Sequence, residues 1–120
     1  MKKPFRVAWI TEPGYDFSAV EKYCEEVRFL TKGYEKDTMK MADSIHSSLA
    51  DFNLSQDVIV PVGKVLSVWL VALSVNALQE NEGTLNYAVY QGGDYSFRKW
   101  NLQKGLHEEV AEPLEVAEGA

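Results

Sequence analysis

Chemistry has few places to start in this chain. Its one cysteine is Cys24 and its two histidines are His46 and His107, which gives neither an internal disulfide nor metal-ligand spacing. Cys24 stands in Tyr23-Cys24-Glu25-Glu26, where flanking carboxylates raise a thiol pKa and suppress thiolate reactivity, so it reads as core filler. The sequence holds no Gly-x-Ser-x-Gly elbow, no Walker loop and no Ser/His/Asp set. What remains is Gly63, set between an apolar run and an apolar helix with Lys64 beside it. Free amides at a helix start, a turn that tolerates close approach and a cation are the ingredients of a phosphate or carboxylate site. The reading is a binding protein and not an enzyme, with no metal and no cofactor expected.

Gly63 needs partners delivered by other elements, and the hydrophobic pattern says which. Residues 5–11 are an apolar run rich in β-formers that stops at Glu12-Pro13-Gly14, a turn signal, and make strand one. Asp16-Phe17-Ser18 can cap a short helix over 19–23, and residues 27–31 read as strand two. Asp37 is an N-cap for a helix whose apolar face is Met41, Ala42, Ile45, Leu49 and Phe52. Residues 57–63 are apolar without alternation, as in a strand covered on both faces, with Pro61 near its end. The helix over 64–80 that follows is apolar around nearly its whole circumference, more than one sheet face can bury. Residues 85–90 and 95–100 flank Gln91-Gly92-Gly93-Asp94, a hairpin turn.

This pattern predicts an α/β fold: a three-layer, mostly parallel five-stranded sheet in the order 2-1-3-4-5, closed by a C-terminal β-hairpin. Strands one and three flank the switch point where open α/β sheets collect ligands. Thr11 and Glu12 then face Gly63, Lys64 and Ser67, and these five are the candidate ligand site. Glu12 is the one acid expected in this cleft, and it reads equally well as a loop carboxylate on water. A second candidate surface is Trp69 together with Tyr90, Tyr95, Arg98 and Lys99, since aromatic and basic residues dominate interface hot spots. Tyr90 and Tyr95, beside the turn, are the pair expected to be exposed. The surplus apolar surface of the last helix predicts a homo-oligomer, most simply a dimer.

With 120 residues, 46 % of them hydrophobic, one domain over residues 1–105 suffices, followed by an acidic flexible tail over 106–120. All 12 basic residues precede position 105, against 13 of the 18 acids, so the domain is near neutral. No basic stripe for nucleic-acid phosphates is present, and no apolar run has the length of a membrane span. The cysteine count fits a reducing cytoplasm.

Leu49-Ala50-Asp51-Phe52, Asp57-Val58-Ile59-Val60 running to Gly63 ahead of an apolar helix, and a closing hairpin that ends Arg98-Lys99-Trp100-Asn101-Leu102 together resemble a group of small phage and prophage proteins of uncharacterised function. The similarity spans about residues 5–102. In that group an acid and a proline usually follow the glycine, where this chain has Lys64-Val65, and the fourth strand tends to end in Lys-Trp-Asp-Arg, where this chain has Tyr90-Gln91-Gly92-Gly93. The resemblance implies a viral accessory protein made in a bacterial cytoplasm. The expected function is non-catalytic binding and inhibition of a host defence or regulatory protein. The alternative is a sponge for a small nucleotide signal, held at the switch point or across an oligomer interface.

Overall fold

Alternation in the first apolar run decides the architecture. In β1 (Phe5–Ile10), Val7 and Trp9 point to one side of the sheet and Ala8 and Ile10 to the other, and all four are buried. A strand with period-two side chains and no exposed face must lie inside a sheet covered on both sides. The computed structural model describes residues 3–31, 36–80, 82–104 and 106–109, and in it β1 pairs in parallel with both β2 (Cys24–Phe29) and β3 (Val58–Val60). Beyond β3 lie β4 (Thr84–Gln91), β5 (Asp94–Asn101) and β6 (Leu106–Glu109), giving the order β2-β1-β3-β4-β5-β6. The first four strands are parallel and the last two pairings antiparallel.

The expected α/β class, strand order and hairpin therefore stand, and β6 extends the sheet. That strand falls where the sequence suggests the start of a flexible tail. The edge of β5 offers unpaired backbone groups, and the register sets Glu109 opposite Arg98 and Glu108 opposite Lys99. Residues 110–120 lie outside the described ones.

Helices α2 (Thr38–Ser48) and α3 (Val65–Leu78) cover one face, where Met41, Ile45, Val71 and Val75 pack on Val7, Trp9 and Ile59. The Asp37 carboxylate accepts the amides of Met39 at 2.9 Å and Lys40 at 3.3 Å, the N-cap that its position implies. The opposite face is closed by α1 (Ser18–Glu21) and its flanks, with Phe17, Val20 and Tyr23 on Ala8, Ile10 and Phe97. This helix is only four residues long, because the carbonyl of Tyr23 is taken by the amide of Phe5 at 3.0 Å. The chain enters β2 at Cys24, three residues earlier than its propensities suggest.

β3 ends at Val60, before Pro61, which has no amide to extend the ladder. The hairpin turn Gly92-Gly93 has both φ angles positive, 59° and 91°, as a two-residue turn of the right twist requires.

At the amino ends of the central strands a fully buried carboxylate ties β1 to the loop before β3. Asp57 accepts from the Arg6 guanidinium at 2.9 and 2.7 Å, from the Trp9 indole at 2.8 Å and from the Asn53 amide at 2.8 Å. A buried charge is tolerable only with such a complete set of donors.

Candidate functional site

The parallel strands bring their carboxyl ends to one edge, and two threonine side chains join the chain segments that leave it. Thr11 follows β1 directly and is buried. Its hydroxyl accepts the Val62 amide at 2.7 Å and donates to the Val62 carbonyl, stitching the exits of β1 and β3 together. From the other side, Thr31 donates its hydroxyl to the Thr11 carbonyl at 2.7 Å. The crevice expected between strands one and three is therefore laced shut at its base.

Glu12 completes the closure. It is buried, not a carboxylate on water, and its Oε1 accepts the amide of Lys64, the N-cap residue of α3, at 2.6 Å. The positive end of a helix favours an anion, and here the chain supplies one of its own. Gly63 makes room for it: φ is +88°, and a Cβ at this position would overlap the Glu12 side chain. Glycine is required twice, by conformation and by contact.

The structure thus brings Thr11, Glu12, Gly63 and Lys64 together, as the sequence implies, around a carboxylate, while Thr11 also lines an apolar groove beside α3. Ser67 does not join them. It is buried one turn into α3, with its hydroxyl 3.8 Å from the Met41 sulfur.

Aromatic rings stand around this closed edge on the α1 side. Tyr15, Phe29 and Tyr90 are exposed, and each rests on a buried ring. Phe17 carries Tyr15 at 6.2 Å and Phe29 at 5.7 Å between ring centroids, and Tyr95 carries Tyr90 at 5.2 Å in a T-shaped pair. The two tyrosine pairs are edge-on and the phenylalanine pair is tilted, arrangements that aromatic rings favour. Tyr95 is buried, which corrects its expected exposure: two residues from Phe97 on the same strand, it shares that residue's sheet face and joins the core closed by α1. Burial, then the neighbouring Tyr90 and Asp16, push the Tyr95 phenol above its ordinary pKa. The Asp16 carboxyl is held below its ordinary value by the Ser18 amide, which it accepts at 2.9 Å.

The remaining candidates lie elsewhere. Arg98 and Lys99 are farther along β5, in register with β6, and the Arg98 Nε reaches Ser96 Oγ at 3.4 Å. Trp69 is on the outer side of α3, across the sheet from the Tyr90–Tyr95 pair. The single interaction surface expected from composition is therefore split in two. Sequence reasoning missed Phe29 as part of the rim, since it reads as strand interior. Its register opposite Ile10, the last residue of β1, is what places it at the edge.

Among the described residues no group of three His, Cys, Asp or Glu side chains could hold a metal ion, and no helix is long and apolar enough to cross a membrane. No protein-family model, curated protein or solved structure matches this chain.

Proposed function

We propose that this chain is a non-catalytic interaction protein that acts by occupying a protein partner with the aromatic rim at the carboxyl edge of its sheet. The observation that carries this reading is the occupied switch point: where an open α/β sheet ordinarily admits a small ligand, Glu12 fills the anion position, and exposed Phe29 and Tyr90 stand at the carboxyl ends of β2 and β4, with Tyr15 in the loop after β1. Exposed aromatic side chains on a rigid base lose little conformational freedom on contact and are typical anchors of protein interfaces. The resemblance to phage proteins suggests a bacterial host protein of defence or regulation as the partner, with inhibition by occupancy as the effect.

The nucleotide-sponge reading is the weaker one at this edge, because a phosphate brought to the α3 N-terminus would meet the Glu12 carboxylate. Affinity capture from bacterial lysate separates the two. The expected result is a stoichiometric host protein that is lost when Tyr15 and Tyr90 are both replaced by alanine. A retained nucleotide that survives this double substitution would reject the proposal in favour of the sponge.

A further inference from the structure

The opposite face of the molecule carries an independent signal. Helix α3 has no charged residue over its 14 positions, and the sheet and α2 bury the stripe of Ser67, Val71 and Val75, with Leu70 partly covered beside it. Its outward face keeps Val65, Leu66, Trp69 and Leu73 at 81, 44, 62 and 53 % exposure. Beside it, between α3 and the sheet, an apolar groove of about 500 Å³ runs from Thr11 and Pro61 at the exits of β1 and β3 to Trp100 on β5, lined also by Trp69, Leu85 and Tyr87. α2 packs on the other flank of α3, and on this half of the sheet Leu85 and Tyr87 are only partly buried.

We infer that a second copy of this chain covers it, with α3 packed antiparallel on α3 across a two-fold axis and Trp69 of each copy seated in the groove of the other. Three observations favour this occupant. A face without charge meets itself without repulsion, and a two-fold contact needs only a surface complementary to itself. The ends of α3 differ in sign, Lys64 at its start and Glu80 and Glu82 just past its end, so the antiparallel arrangement sets lysine near glutamate twice. The exposed side chains with Trp100 amount to on the order of 500 Å² per copy, so two copies bury about 1,000 Å², the area at which specific interfaces begin. This contact leaves the aromatic rim free, so the inference does not depend on the function proposed above.

The test is the mass of the full chain by light scattering and sedimentation from about 1 to 100 µM. The expected species has twice the 13.5 kDa of one copy. Trp69→Glu should raise the dissociation constant by about 30-fold or more, as loss of a hot-spot side chain does, with an unchanged circular dichroism spectrum. Leu73→Arg repeats the measurement on the same face should the tryptophan variant fold poorly. Lys64→Glu should weaken the dimer, and joining it to Glu80→Lys and Glu82→Lys should restore it. A monomer mass throughout the range overturns the inference, whether residues 110–120 or another protein then covers the face. A dimer insensitive to both Trp69→Glu and Leu73→Arg overturns it equally, by placing the contact elsewhere.

Discussion

The Glu12 carboxylate accepts the Lys64 amide at 2.6 Å across 52 residues of chain, so the start of α3 is anchored to the exit of β1. This contact acts as an N-terminal cap supplied from a distance. Glu12→Ala should destabilise the fold by about 1–2 kcal/mol, the usual cost of losing a cap at a helix start. Glu12→Gln keeps an acceptor oxygen and should cost less than half of that. Urea denaturation of the three proteins checks the ranking, and equal loss for Ala and Gln would show that the hydrogen bond contributes nothing.

Gly63→Ala should cost more than about 2 kcal/mol, because the backbone is left-handed and the new Cβ meets Glu12. Part of that cost is steric and belongs to the pair. In the Gly63→Ala/Glu12→Ala double variant, the destabilisation should fall short of the sum of the singles by about 1 kcal/mol. Additivity within experimental error would mean that the two side chains do not share this space.

Asp57→Ala should be the most damaging single substitution of a polar residue, at about 3 kcal/mol or more, since it leaves the buried Trp9 indole without its acceptor and Arg6 without its main partner. Asp57→Asn keeps the shape and should cost less. Thermal unfolding of both variants gives the order, and an Asn variant as unstable as Ala would assign the effect to charge and not to hydrogen bonding.

Burial, more than any neighbouring charge, pushes the Cys24 thiol up from 9.0 to about 12, against a smaller opposing pull from Lys3. The folded chain thus holds this proton more tightly than the unfolded one. That contribution to stability is fully present below pH 9.0 and is lost as the pH rises toward about 12. A thiol-specific reagent at pH 8 should label native protein far more slowly than protein unfolded in guanidinium, and equal rates would contradict the burial.

Removing residues 106–120 strips β6 from the edge of β5, whereas ending the chain after Glu109 keeps it. The shorter chain should melt at least 4 °C lower, a difference of about 1 kcal/mol for a domain of this size. Identical midpoints would show that β6 does not stabilise the sheet.

Strand order and layer assignment were legible in the sequence because they rest on long-range pattern: an apolar first run of β-formers, a third run without alternation and a Gly-Gly turn. Element ends were less legible. α1 stops early because Tyr23 is claimed by Phe5, a contact 18 residues away that no local propensity encodes. The site shows the same limit. Spacing brings Thr11, Glu12, Gly63 and Lys64 into one place, but whether Glu12 turns outward to water or inward to the Lys64 amide depends on the room left by one missing Cβ at Gly63.

The interior position of β1, between β2 and β3, has a cost during synthesis. Phe5–Ile10 is made before both of its neighbours, and its second edge is not satisfied until Val58–Val60 is available. At about 5–20 residues per second, an apolar strand waits several seconds with an open edge. Nascent chains stalled before residue 60 should therefore depend on ribosome-associated chaperones far more than the finished domain does.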